Sequence, residues 1–204
     1  MEQETVNVAI ESMPLNYVTP DMHLIEEFEK NRKIFFTDYV GIDVVEIVRS
    51  IIKFNMEDAG KPVEERKPIM LYIMSYGGDC DAMWMLLDAM NMSETPIVTV
   101  NMGVAASAAS LIFMTGSKRL MFKNATVMIH EGSAQLQGDA VKVMDASASY
   151  KKAIQKMKDY ILEKTKIPKA QLMKKRSNDW ELDANFCLEN GVCDSIVESI
   201  KEIL

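Results

Sequence analysis

Ile69-Met70-Leu71-Tyr72-Ile73-Met74-Ser75-Tyr76-Gly77-Gly78 is the stretch on which the fold turns. A compact apolar run meets a glycine pair, which reads as a buried strand ending in a tight turn. Downstream, Met83, Leu86, Leu87 and Met90 recur at helical spacing. Pro96 then precedes a second strand, Ile97-Val98-Thr99-Val100, which Gly103 is expected to end. Small residues at 105–110 lead into a helix at Leu111-Ile112-Phe113, and two short β-runs follow, around Leu120 and at 126–129. Upstream, Ile34-Phe35-Phe36 begins a β-rich run. Val44, Ile47, Val48, Ile51 and Ile52 then mark a helix behind Asp43, a plausible N-cap. Residues 55–68 are charged, contain Gly60-Lys61-Pro62, and are expected to form a surface loop. Strand and helix in alternation imply an α/β fold with a parallel sheet.

The last third is different. Residues 139–164 contain no Gly or Pro, and Val143, Ser147, Tyr150, Ile154, Met157 and Ile161 repeat at steps of four and three. That spacing is a seam for packing a long helix against another helix, with a subunit interface as its natural use and packing back on the chain's own sheet as the alternative.

At 204 residues the chain fits one sizeable domain. Pro14 and Pro20 mark an irregular N-terminal arm over 1–25, leaving the domain to 26–204. Net charge is −7, and the densest basic run, Lys174-Lys175-Arg176, is too short for a nucleic-acid footprint. The opening Met-Glu-Gln-Glu resembles no export signal, and no apolar run is long enough to span a membrane. Cys80, Cys187 and Cys193 form no CxxC pair, so reduced thiols and a cytoplasmic location are expected, with Cys80 a small buried hydrophobe. The 17 methionines suit an adaptable core or subunit interface rather than a metal site, since none clusters beside His or Cys.

Two places are suited to chemistry. Gly77-Gly78 and Ser107, within Gly-Val-Ala-Ala-Ser-Ala-Ala-Ser, both lie where a strand gives way to a helix, the edge at which such sheets bind ligands. Either feature alone is an ordinary glycine turn or a serine N-cap. A serine nucleophile needs a base. The chain has only His23, in the irregular N-terminal stretch, and His130, which ends the run Thr126-Val127-Met128-Ile129. Spacing selects no orienting carboxylate among the 30 acidic residues, so the residues by themselves reach a serine hydrolase and stop.

Tyr72-Ile73-Met74-Ser75-Tyr76-Gly77-Gly78 resembles the strand and turn of the ClpP peptidase family, which usually end Ser-Pro-Gly-Gly. Gly103-Val104-Ala105-Ala106-Ser107-Ala108-Ala109 is similar to that family's nucleophile segment, and Val127-Met128-Ile129-His130 to its histidine strand. Ser177-Asn178-Asp179, followed by Ala184 and by Gly191-Val192-Cys193-Asp194, resembles its acidic segment and ending. The blocks keep the family's order over roughly residues 30–200. The resemblance implies Ser107 as nucleophile, His130 as base and Asp179 as the acid, with the backbone N–H groups of Gly78 and Ala108 as oxyanion donors. It further implies a ClpP/crotonase-like spiral of ββα units with a protruding handle helix at about 139–164.

As function, the resemblance implies a serine endopeptidase, the proteolytic subunit of a Clp-type ATP-dependent protease that cleaves unfolded polypeptides. Its partners would be copies of itself in heptameric rings, stacked as a double ring, and a Clp-type AAA+ unfoldase. The chain itself would need no metal or cofactor, ATP being used by the partner. There are departures. Asn178 stands in place of the arginine that helps couple the rings, Glu-Gly-Ser-Ala-Gln follows His130 where Gln-Pro-X-Gly-Gly is usual, and Met70 replaces an aromatic near Tyr72 in the ATPase-docking pocket. Two alternatives remain: a catalytically weak accessory ring subunit, and a crotonase-like acyl-CoA enzyme, which shares the spiral but needs no triad.

Overall fold

The computed structural model describes residues 20–174 and 179–204. The arm expected over 1–25, with Pro14, falls outside the described residues up to position 19, as do Lys175, Arg176, Ser177 and Asn178. From Pro20 the chain is helical, α1 covering Pro20–Lys30. Pro20 opens this helix rather than breaking it, because the first helical position has no intrahelical use for an N–H. His23 is therefore an exposed helical residue, not part of an irregular stretch.

The core alternation is β1 (Lys33–Phe36), α2 (Val44–Glu57), β2 (Ile69–Ser75), α3 (Cys80–Met92), β3 (Ile97–Ala106), α4 (Ala108–Thr115), β4 (Lys118–Phe122) and β5 (Thr126–Ile129). There follow α5 (Ala140–Lys164), α6 (Lys169–Lys174), β6 (Trp180–Asp183), α7 (Ala184–Glu189) and β7 (Ser195–Val197). Neighbours along β1-β2-β3-β4-β7 all run parallel, as the alternating pattern predicts. β5 leaves this path by pairing in parallel with β3, and β6 pairs antiparallel with β5.

β3 corrects one expectation. Gly103 does not end the strand; the chain continues extended to Ala106. Residues 98–101 pair with β4, residues 104–106 pair with β5, and the register against β2 shifts between Ile73 and Ser75. Gly103 is where the strand exchanges one neighbour for another, a use of glycine that a breaker reading misses.

Strand alternation sorts side chains to two faces. Leu71 and Ile73 join the main core with Met83, Leu86 and Leu87 of α3 and Ile112 and Phe113 of α4. Tyr72, Val98, Val100 and Leu120 form a smaller cluster, which also includes Ile203 near the C-terminus. Burying a side chain such as Phe113 or Leu86 contributes about 1.5–3 kcal/mol, so this core holds the strand ends that carry the site.

The segment 55–68 is also not the plain surface loop expected. α2 extends to Glu57, and Asp58 beyond it is only 1% exposed. Its carboxylate accepts from Arg32 (2.9 Å), Lys61 (2.9 Å) and Thr95 (3.0 Å). The Arg32 guanidinium, foremost, holds the Asp58 carboxyl well below the usual carboxylate range despite burial. A buried acid is tolerated because it is fully paired. Cys80 is a further correction: it is exposed, at the first turn of α3 beside the capping Asp79. Cys187 and Cys193 are buried thiols, the latter pushed up to about 11 chiefly by desolvation.

The periodic seam lies on α5, which starts behind Asp139, whose side chain accepts from the Lys142 N–H. Ile161 is buried and Met157 packs against the core, near the end of α5 that approaches α4. Towards the other end Val143, Ser147 and Tyr150 are half-buried, while Val141 and Met144 beside them are 68% and 71% exposed.

Candidate active site

Ser107 stands between β3 and α4 with φ 53° and ψ −124°, a left-handed backbone that a side-chain-bearing residue adopts only under strain. Such conformations cost about 1–3 kcal/mol and cluster at functional sites. The strand-to-helix turn lifts the Ser107 side chain to the C-terminal edge of the sheet, while its N–H donates to the Met128 carbonyl at 2.9 Å. Because Ala106 pairs with Met128, β3 and β5 end side by side. Ser107 and His130 therefore emerge at adjacent strand ends, where open α/β sheets bind ligands.

The side chains meet. His130 Nε2 lies 2.7 Å from Ser107 Oγ. On the other side of the ring, His130 Nδ1 lies 3.2 Å from Asp179 Oδ1. Asp179 arrives from far along the chain because β6 runs back along β5, with Trp180 opposite Ile129, so the residue before β6 stands beside the residue after β5. With the ring proton on Nδ1, directed at the carboxylate, Nε2 can accept the serine proton. The His130 side chain is 28% exposed and that of Asp179 68%, so the arrangement opens to solvent on its acid side.

Gly77 and Gly78 close the site from β2. A Cβ on Gly77 (φ 96°) would fall 2.7 Å from Ser107 Cβ and 3.0 Å from the Ala108 nitrogen, so only glycine lets this turn lie against the serine. A Cβ on Gly78 would strike the Val40 carbonyl at 2.3 Å. The Gly77 carbonyl and the Asp79 N–H are both held by the Val40 backbone, which fixes the peptide planes around Gly78. Ala108 opens α4, and the first N–H groups of a helix have no intrahelical partner. Sequence and structure thus put both expected oxyanion donors on the two segments that flank Ser107.

The other serines of these segments are engaged elsewhere. Ser110 is buried and donates to the Ser107 carbonyl at 2.6 Å, and Ser75 donates to the Asp38 carbonyl at 2.6 Å. Asp183, the other acid near the expected position, accepts from Phe186 N–H as the cap of α7 and pairs with Thr126 at the far end of β5. Sequence reasoning missed two residues next to His130. Glu131 and Lys158 form an ion pair, and Lys158 is only 9% exposed. The signal was a lysine on the apolar stripe Ile154, Met157, Ile161 of α5, a position where a lysine needs a paired acid.

The chain as a whole has relatives among known proteins. The family model for Clp protease matches residues 20–200, and the chain belongs to that family. It is 29% identical over 191 residues to ATP-dependent Clp protease proteolytic subunit 2 of Treponema denticola, covering 92% of each chain. Similarity to the subunit of the same name in Treponema pallidum is 28% over 176 residues, 85% of each. To ATP-dependent Clp protease proteolytic subunit 1 of Bacillus cereus the identity is 29% over 154 residues, 74% of this chain and 77% of the relative. Among the described residues no helix is long and apolar enough to cross a membrane.

Proposed function

We propose that this chain is a serine endopeptidase, the proteolytic subunit of an ATP-dependent Clp-type protease, with Ser107, His130 and Asp179 as its catalytic residues. The observation that carries the reading is the 2.7 Å approach of His130 Nε2 to Ser107 Oγ with Asp179 on the opposite ring nitrogen. In the first step Ser107 Oγ bonds to the scissile carbonyl carbon and its proton passes to His130 Nε2. The carbonyl oxygen takes up the electron pair and receives hydrogen bonds from the Gly78 and Ala108 N–H groups, aided by the partial positive charge at the start of α4. Collapse breaks the C–N bond as His130 returns the proton to the leaving amine. Water, deprotonated by the same imidazole, then releases the acyl group. Asp179 holds the productive tautomer and faces the transient imidazolium.

The proposal asks for no metal or cofactor in this chain. Its relatives' names supply the ATP-dependent setting, and a heptameric double ring, a Clp-type AAA+ partner and a cytoplasmic location belong to the same reading. Family membership favours peptidase over acyl-CoA chemistry. Ser107→Ala is expected to abolish hydrolysis of a fluorogenic peptide while leaving the melting transition in place; hydrolysis that survives removes Ser107 from the mechanism. The exposed Val141 and Met144 lie on the half of α5 that would face another subunit. Val141→Asp with Met144→Asp is expected to shift sedimentation from rings to smaller species, and a wild-type protein that sediments as an active monomer overturns the ring.

A further inference from the structure

The turn leaving His130 is gripped by α5 at two atoms of one residue. The Tyr150 hydroxyl donates to the Glu131 carbonyl at 3.0 Å, and Lys158 Nζ donates to Glu131 Oε1. Tyr150 and Lys158 lie on one face of α5 about 12 Å apart along the helix axis. Ile154, Met157 and Lys158 of α5 line one pocket together with Ile129, His130 and Glu131. Lysine is rarely buried unless paired, and Glu131, with a side chain 25% exposed, supplies the charge that keeps Lys158 in an otherwise apolar stripe. Nothing in the chemistry proposed for Ser107 uses either group. Gly132 follows at φ 75°, so the chain bends sharply immediately after the gripped residue.

We propose that Lys158 and Tyr150 are positioning residues for the base: through Glu131 they fix the main chain after His130, and so the direction in which the imidazole meets Ser107 and Asp179. This rests on the reading of His130 as general base. The imidazole follows the peptide to which it is attached, and a misplacement of about 1 Å can cost about a hundredfold in rate. The carbonyl grip from Tyr150 restrains the peptide plane, and the carboxylate grip from Lys158 stops the turn from swinging off α5. Both contacts come from the side of α5 that faces its own chain, where Ile154 and Met157 also lie.

The test uses the purified full chain and a short fluorogenic peptide, with kcat, KM and fluorophosphonate labelling rate measured for Glu131→Gln, Lys158→Met, the double variant, Lys158→Arg and Tyr150→Phe. The expected result is a fall of about tenfold to a hundredfold in kcat and labelling rate for the first two, with KM within about twofold. The double variant should be no worse than the worse single, since the two act as a unit. Lys158→Arg, which keeps the charge, should recover most of the rate. Unchanged kcat, a loss confined to KM, or additive losses in the double variant overturn the proposal. Should Lys158→Met fail to fold, Tyr150→Phe decides: it leaves no unpaired charge, and wild-type kcat in that variant also overturns it. Ser107→Ala separates the two readings: if it retains hydrolysis, the active-site assignment fails, whereas its inactivity beside a fully active Lys158→Met sinks only the positioning role.

Discussion

Two aspartates in this chain each hold a nitrogen partner, and they do so in opposite surroundings. Asp58 is 1% exposed and bonded by Arg32, Lys61 and Thr95, so every lone pair facing the interior has a donor. Asp179 has a side chain 68% exposed and, among the described residues, an ion-pair contact to His130. The first arrangement stabilises the fold and has no freedom to change. The second is weak as a structural pair, since exposed ion pairs contribute little, yet it is aimed at the imidazole that gains and loses a proton in the proposed mechanism. Burial with complete pairing suits a clamp, whereas exposure with a directed contact suits the orienting role proposed for Asp179.

The comparison is easiest to break at its catalytic side. His130→Ala should lower kcat by about four to six orders of magnitude, as removal of a triad base does, with the melting transition within a few degrees of wild type. Asp179→Asn should keep the fold and lose on the order of ten-thousandfold, because the imidazole is no longer held in the productive tautomer. An equal loss from Asp183→Asn alone, with its cap on α7 intact by circular dichroism, would move the acid to that position. Asp58→Asn should do the reverse. It removes the buried charge opposite Arg32, leaving the guanidinium to Glu57 and the Lys67 carbonyl, and costs about 3–5 kcal/mol in a denaturant melt, while kcat per folded molecule stays near wild type.

The pH dependence sharpens the same contrast. The folded Asp58 carboxyl sits below its ordinary range, so its contribution is fully present above the unfolded value of about 3.9 and is lost as pH falls below it. Wild-type stability should therefore decline in that acid window, and the Asp58→Asn variant should show a flatter curve there.

Much of this was legible in the chain. The runs at 69–74 and 97–100, the helix stripes and the glycine pair specify a parallel α/β sheet with Ser107 and His130 at its edge, because each signal is local. What was illegible was set by pairing across distance. Asp179 reaches His130 only through the antiparallel register of β6 on β5, and no spacing in the sequence encodes that. Resemblance to a family supplied the position instead. Gly103 misled because a glycine that ends a strand and one that lets a strand change neighbours look alike. Asp58 was hidden in a charged segment, where its burial depends on Arg32 and Thr95 from other parts of the chain. Lys158 could have been flagged, as a charge on an apolar stripe, though not its partner Glu131.

In the proposed mechanism Ser107 is a nucleophile activated by His130. Fluorophosphonate labelling of the wild-type chain, followed by mass-spectrometric mapping of the modified residue, tests it most directly. A single adduct on Ser107, nearly abolished by His130→Ala, is expected. An adduct on Ser75 or Ser110, or labelling of Ser107 that is as fast without the histidine, would contradict it.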